Sequence, residues 1–122
     1  MKKVFFIFYS LGFLSSCSYD TEEELYGITI CETELMSFTD DVWPIIQENC
    51  VSCHGGETPF AGLALEHYSQ IRTTALDTTV EGVINRIDRP EGDPDIMPPN
   101  SRLEQCSIDK IKAWVEQGAL EN

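Results

Sequence analysis

Apolar residues recur along this chain at the three- and four-residue spacing of an α-helix, and no segment alternates in the way of a half-buried strand. The clearest pattern predicts a helix over residues 107–117, whose apolar face comprises Ile108, Ile111, Trp114 and Val115. Ser107 can cap this helix, and Gly118 follows as its stop signal. The hydrophobic pattern therefore predicts an all-α fold.

A second helix is predicted near the middle of the chain, running into Cys50. Pro44 falls in its first turn, where the missing N–H of proline loses no hydrogen bond, and three polar residues before it offer N-caps: Thr39, Asp40 and Asp41. Its apolar face comprises Val42, Trp43, Ile45 and Ile46. Weaker helical patterns cover residues 65–73 and 79–87, and long loops are expected between the helices.

The first sixteen residues are predicted to be a lipoprotein signal peptide. A basic start is followed by the apolar run Val4–Leu14, which is much shorter than the ~20 residues that span a bilayer. The sequence Leu14-Ser15-Ser16-Cys17 resembles the lipobox of bacterial lipoproteins, and this resemblance implies acylation of Cys17. We therefore expect an exported protein that lipid chains anchor to a bacterial membrane, at the periplasmic or surface side of the outer membrane. An ordinary cleaved signal with an incidental cysteine is the alternative.

Residues 17–37 are predicted to be a lipidated acidic tether. Its first part, residues 18–25, has little to bury and contains a cluster of acids, namely Asp20, Glu22, Glu23 and Glu24, so we expect it to be disordered. Residues 26–30 could form a short extended segment. Residues 38–122 then remain for one small domain, in which no internal repeat is visible.

The charge balance is strongly acidic. The chain carries 8 Lys and Arg against 21 Asp and Glu, a formal net charge of −13, and removal of the signal peptide would remove two lysines and no acid. This balance excludes nucleic acid as a partner, because phosphates would be repelled. It favours a partner protein with a basic docking face, although solubility alone would account for the same composition.

The pentapeptide Cys50-Val51-Ser52-Cys53-His54 carries the most specific chemistry in the chain, because this spacing is the attachment sequence for haem c. Two thiols three residues apart on one helical turn can each add to a haem vinyl group, and the following imidazole then lies under the iron. Without His54, the pair would suit a redox dithiol, a disulfide or half of a zinc site equally well. One covalently attached haem c is therefore expected.

The second iron ligand can be sought among the remaining soft and aromatic donors. After loss of the signal peptide these are Met36, Met97 and His67. Pro98 and Pro99 restrict the backbone next to Met97, so its sulfur can be presented with little further loss of entropy. His67 falls in a predicted helix and is expected at the surface, and Met36 lies near the tether. Met97 is therefore the preferred ligand, with filling of the core as its alternative role.

Cys31 and Cys106 remain once the haem pair and the lipid site are subtracted. In an exported protein, two such cysteines are predicted to form a disulfide. In the chain-entropy model, closing a loop of this length stabilises the fold by about 4 kcal/mol. Two free buried thiols are the alternative.

Taken together, the helix leading into the pentapeptide, the short connecting helices, the Met97-Pro98-Pro99 stretch and the aromatic C-terminal helix resemble a small cytochrome c, over roughly residues 38–120. The sequence is particularly similar to the Cys-x-x-Cys-His domains of exported proteins from Bacteroidetes and Planctomycetes. This resemblance implies a small helical domain wrapped around haem c. It also implies attachment through Cys50 and Cys53, with His54 as the proximal ligand and Met97 as the distal ligand.

The expected function is that of a monohaem, membrane-tethered electron carrier, since an iron with two protein ligands has no vacant site for a substrate. No nucleophile triad, paired carboxylates in an apolar context or phosphate-binding glycine loop is evident, so we expect neither enzymatic activity nor a small-molecule substrate. One alternative is a haem-based sensor or accessory module in which Met97 dissociates. Another is a haem-free lipoprotein interaction domain in which Cys50 and Cys53 form a disulfide or bind zinc.

Overall fold

A computed structural model describes residues 30–99 and 101–122, and within these ranges the fold is helical without strands, which confirms the predicted all-α class. Cys17 and most of the predicted tether lie outside the described residues. The five α-helices are α1 (Trp43–Asn49), α2 (Val51–His54), α3 (Tyr68–Ala75), α4 (Val83–Ile87) and α5 (Gln105–Glu116). A π-helical turn (Phe38–Val42) leads into α1, and a 3-10 turn (Phe60–Gly62) lies between α2 and α3. None of these helices has the length and apolar character of a membrane span.

The first helical segment is capped by Ser37 and not by the predicted Thr39, Asp40 or Asp41. The Ser37 hydroxyl accepts a hydrogen bond of 3.2 Å from the Asp40 N–H, and the Asp41 carboxylate accepts one of 3.0 Å from the Ser37 N–H. These reciprocal bonds satisfy two backbone donors that a helix start leaves without partners. Pro44 lies in the first turn of α1, as predicted.

The C-terminal helix α5 begins two residues before the predicted Ser107 and ends at Glu116. The Ala119 N–H donates to the Trp114 carbonyl at 2.8 Å, and the Gly118 N–H donates to the Val115 carbonyl at 3.0 Å. Gly118 has a φ of 103°. This pattern is a Schellman motif, which favours glycine at the position with positive φ. Gly118 therefore ends the helix, as the sequence predicted.

The two helices with the weaker sequence patterns, α3 and α4, start later than predicted. A side-chain cap and a tight turn occupy the residues that were expected to form their first turns. Gln70 accepts hydrogen bonds from the backbone N–H groups of Glu66 and His67, both at 3.0 Å, so α3 begins only at Tyr68. Ahead of α4, a Cβ placed on Gly82 would lie 1.9 Å from the Asp77 carbonyl oxygen. Only glycine fits this close approach, and α4 therefore begins at Val83.

The core forms where the π-helical turn before α1 and the length of α5 pack against α3. The ring centroids of Phe38 and Trp114 are 5.5 Å apart, and those of Phe38 and Tyr68 are 5.1 Å apart. Trp114 is completely buried, and its indole N–H donates to the Leu120 carbonyl at 2.9 Å. The other large side chains that are fully buried are all aliphatic and come from several helices and one loop: Val42, Ile46, Leu65, Ile71, Ile87, Ile108 and Ile111. Both tryptophans therefore contribute to packing, since Trp43 also lies against this core.

The segment before the first helix is part of the folded unit, which begins at Cys31. The Gln117 side chain accepts from the Met36 N–H at 2.7 Å and donates to the Thr33 carbonyl at 2.9 Å. The sulfur atoms of Cys31 and Cys106 lie 2.06 Å apart, at the bonding distance of a disulfide. Residues 31–37, which the sequence assigned to the tether, therefore pack along α5.

Replacing Ser37 by Ala should lower the free energy of unfolding by about 1 kcal/mol, because the Asp40 N–H loses its acceptor. The matched control is Thr39→Ala, which changes an exposed hydroxyl two residues away and should shift stability by less than ~0.5 kcal/mol. Urea unfolding followed by tryptophan fluorescence measures both. Equal losses in the two variants would contradict the assignment of Ser37 as the cap.

Reduction of the Cys31–Cys106 bond should lower the free energy of unfolding by about 4 kcal/mol, because the unfolded chain regains the freedom of a long closed loop. The double variant Cys31→Ser with Cys106→Ser should show the same loss without reductant. Urea unfolding in both redox conditions provides the measurement. If reductant leaves the wild-type midpoint unchanged, the two cysteines are not bonded.

Candidate functional site

A cavity of about 360 Å³ brings together residues from opposite halves of the domain sequence. Its lining includes Cys50, Cys53 and His54 from the end of α1 and from α2, and Met97 from the loop before α5. The volume lies within the range of roughly 300–1,000 Å³ that is usual for ligand pockets. All four residues predicted to hold a haem thus line the same cavity.

Most of the remaining cavity wall is hydrocarbon. It is formed by Phe60, Leu63, Leu65, Val83, Ile87, Pro98 and Pro99. A few polar side chains also line it: Asn49, Ser52, Thr74, Glu81 and Arg86. Such a wall suits a ligand with a large apolar body and a few polar groups, because apolar surface on both sides is then removed from water. The donor set and the lining together fit a haem.

The Cys50–His54 turn places its three functional side chains on one side of the chain. The Cys50 carbonyl accepts hydrogen bonds from the Cys53 N–H at 3.2 Å and from the His54 N–H at 2.9 Å. These bonds close one helical turn, on which residues three and four apart are neighbours. Both thiols and the imidazole can therefore reach one ligand.

The two thiols differ in exposure and in acidity. Cys50 is buried and Cys53 is exposed, and both are free. Burial raises the pKa of the Cys50 thiol to about 11, and the adjacent Cys53 thiol adds to the rise. A redox-active dithiol instead requires a thiol whose pKa is lowered. The environment of Cys50 therefore does not favour a redox dithiol.

His54 is held by a backbone acceptor. Its Nδ1 atom lies 3.1 Å from the Leu63 carbonyl oxygen, which can only accept a hydrogen bond. Nδ1 must therefore carry the ring proton, and this leaves the lone pair of Nε2 available to a metal ion. A second hydrogen bond holds the same loop, since the Leu65 N–H donates to the His54 carbonyl at 2.7 Å. The loop after the pentapeptide thus fixes both the tautomer and the ring orientation.

Phe60 is a cavity residue that the sequence did not indicate. Its ring stands edge-on to the His54 imidazole, with centroids 6.4 Å apart, although 68% of the residue is exposed. It lies in the 3-10 turn, where Ala61 has a φ of 55°, a value that non-glycine residues seldom adopt. An aromatic residue in a loop gives no periodic signal, so only the fold shows its place.

Met97 lies at the cavity, whereas the other candidate ligands do not. Its N–H donates to the Arg86 carbonyl at 3.1 Å, the side chain is half-buried, and the Met97–Pro98 peptide bond is cis. Met36 is buried in the core beside Trp114 and lines a different cavity. His67 is exposed, as predicted, but it lies just before α3 and not within a helix. Of the three candidate ligands, the structure therefore brings only Met97 to this cavity.

The segment that carries Met97 is held by arginines. Arg86 pairs with Asp95 at 3.3 Å, and Arg89 pairs with Asp93 at 3.2 Å. Arg86 also pairs with Glu81, in the loop before α4, at 2.7 Å. The hydrogen bond that Arg86 donates to Glu81, followed by the charges of Glu81 and Asp95, raises the pKa of Arg86 above its usual value. These pairs could not be predicted from the sequence, because each arginine and each carboxylate looks like an ordinary surface charge there.

A zinc site gains no support from the described residues, among which no group of three or more His, Cys, Asp or Glu side chains is arranged to hold a metal ion. Structural zinc sites use four such ligands and catalytic sites three. Haem iron needs only two axial protein ligands, because the porphyrin supplies the other four.

No family model, no curated protein and no solved structure matches this chain. The chemistry of the cavity residues is therefore the basis on which a function can be proposed.

In the haem-free protein, iodoacetamide should alkylate Cys53 much faster than Cys50. With a pKa of about 11, only about one Cys50 in a thousand is a thiolate at about pH 8, and burial further limits access. Raising the pH towards that pKa should accelerate the Cys50 reaction. Peptide mass spectrometry measures the two rates, and the same reaction in denaturing urea is the control. Equal rates without urea would show that Cys50 is not buried.

Proposed function

We propose that this chain is a monohaem c-type cytochrome, a one-electron carrier that a lipid on Cys17 anchors to a bacterial membrane after export. In this proposal Cys50 and Cys53 form the thioether bonds to haem c. His54 is the proximal ligand of the iron and Met97 the distal ligand. The observation that carries the proposal is the lining of one apolar cavity by all four of these residues.

The contacts of His54 support its role as a fixed axial ligand. The Leu63 carbonyl accepts a hydrogen bond from Nδ1–H, so the ring can present its unprotonated Nε2 to a metal without a tautomer change. The neighbouring thiols lie on the same helical turn. Covalent attachment at Cys50 and Cys53 would hold the cofactor close to His54 even if the distal ligand dissociated.

A haem with thioether and imidazole ligands supplies reversible one-electron exchange, with a potential raised by the sulfur. The apolar wall would shield part of a bound haem from water. With both axial positions occupied by side chains, the site offers no place for a substrate. These features favour electron transfer over catalysis, and no contact in the cavity favours the haem-based sensor or the haem-free interaction domain.

The partner is proposed to be a redox protein with a basic docking face. The chain has a net charge of −13, and opposite charges accelerate encounter most at low ionic strength. Nucleic acid is not a partner in this proposal, since the chain would repel it. The lipid anchor would confine the search for the partner to the membrane surface, although Cys17 lies outside the described residues.

The proposal predicts that protein matured by a haem-attachment system carries one haem on the peptide that contains Cys50 and Cys53. The ferric form should show the weak far-red absorption band of sulfur ligation. Met97→Ala should remove this band and leave the haem covalently bound, because the thioethers do not depend on the axial sulfur.

Met36→Leu is the matched control, since Met36 lies in the core beside Trp114 and should not affect the band. Absence of a haem adduct on the Cys50–Cys53 peptide would overturn the proposed function. A band that survives in Met97→Ala and disappears in Met36→Leu would reassign the distal ligand.

A further inference from the structure

Arg86 lies on the cavity wall and contacts the segment that carries Met97 by both its backbone and its side chain. We propose that Arg86 is a positioning residue that holds Met97 in place as the distal ligand. This inference rests on the proposed function, because it assigns Arg86 a role relative to a haem ligand. Arg86 does not itself contact the iron in this role, so it is not a catalytic residue.

The backbone of Arg86 makes the most direct contact. Its carbonyl oxygen accepts the hydrogen bond from the Met97 N–H at 3.1 Å. Arg86 is part of α4, whose neighbours Val83 and Ile87 are buried, so this acceptor belongs to a packed element. The backbone of Met97 is therefore hydrogen-bonded to a packed helix and not to another loop.

The guanidinium group adds two further connections. Nη1 donates to the Asp95 carbonyl at 3.3 Å and lies 3.3 Å from the Asp95 carboxylate. Nη2 donates to the Glu81 carboxylate at 2.7 Å. Arg86 thus links the loop before α4 to the residue two positions before Met97.

The geometry requires arginine, because a planar fork can serve separate acceptors at the same time, whereas the ammonium group of lysine acts as a point charge. Only 20% of the Arg86 side chain is exposed, compared with 71% for Glu81 and 58% for Asp95. The cation is thus more shielded from solvent than its partners. Arg89 reinforces the same segment through Asp93 and, at 3.6 Å, through Asp95.

Imidazole binding to the ferric holoprotein tests the proposal, because added imidazole can coordinate only when Met97 has dissociated. The apparent affinity rises in proportion to the fraction of molecules without the Met97 ligand. Arg86→Gln should therefore raise the apparent imidazole affinity by about tenfold or more and weaken the far-red sulfur band, with the haem still covalently attached. Arg86→Lys should show a smaller rise, since it keeps the charge but not the fork.

Two controls separate positioning from general loss of stability. Ser37→Ala lowers stability at the start of the first helical segment, and Arg72→Gln removes a cation of α3 that does not line the cavity. Both should leave the imidazole affinity unchanged. Glu81→Gln and Asp95→Asn should each raise it in the same direction as Arg86→Gln, and they decide the question if Arg86→Gln yields no folded holoprotein.

Unchanged imidazole affinity in Arg86→Gln, or in both partner variants if that protein does not fold, would overturn the proposal. A changed reduction potential with unchanged imidazole affinity would also overturn it, and would indicate that Arg86 binds a carboxylate of the haem instead. Failure of the proposed function is distinguishable, because the wild-type protein would then lack the haem adduct or the sulfur band before any variant is compared.

Discussion

The hydrogen bond between His54 Nδ1 and the Leu63 carbonyl is the interaction on which the site depends. It fixes the ring, selects the tautomer, and ties the loop after α2 to the turn that carries both free thiols. Without it, the imidazole at the end of a four-residue helix would have several accessible rotamers, and the cavity would have no preformed ligand for the proposed haem iron. A second hydrogen bond, from the Leu65 N–H to the His54 carbonyl, holds the loop so that the Leu63 carbonyl stays beside the His54 ring.

A small domain can tolerate such a cavity only if its remaining contacts are strong. Domains of this size bury a modest share of their surface, and here part of the apolar surface lines the cavity and does not pack against other protein groups. Three features compensate: the buried aromatic cluster around Trp114, the bond between Cys31 and Cys106, and the hydrogen bonds from Gln117 to the segment before the first helix. None of these residues lines the cavity, so stability and ligand binding are assigned to different parts of the fold.

The helices could be predicted well from the sequence and their ends less well, for a physical reason. The apolar period locates α1 and α5 because burial decides their faces. The starts of the first helical segment and of α3 instead depend on which side chain reaches a free N–H group, as Ser37 and Gln70 do, and several polar residues nearby look equally suitable.

For the candidate site, the residues that meet at the cavity could be selected from the sequence, but the groups that hold them could not. Cys50, Cys53 and His54 stand out because covalent haem attachment would fix their spacing, and Met97 stands out because prolines follow it. The carbonyl of Leu63 is a backbone atom that every residue possesses, so no sequence signal marks it. Arg86 looked like one surface charge among many until the fold placed it beside Glu81 and Asp95.

The positions of the few Lys and Arg residues show which part of the site depends on ion pairs. Within the described ranges, every Lys or Arg except Arg72 forms an ion pair, and three of them brace the chain around the Met97 segment: Arg86, Arg89 and Arg102. The loop that holds His54 is tied by two hydrogen bonds to backbone carbonyl groups. The Met97 segment has one such bond, from the Met97 N–H to the Arg86 carbonyl, and its other connections include ion pairs with Asp95 and Asp93. Because salt screens ion pairs of partly exposed groups, the geometry of the Met97 segment depends on ionic strength more than that of His54 does.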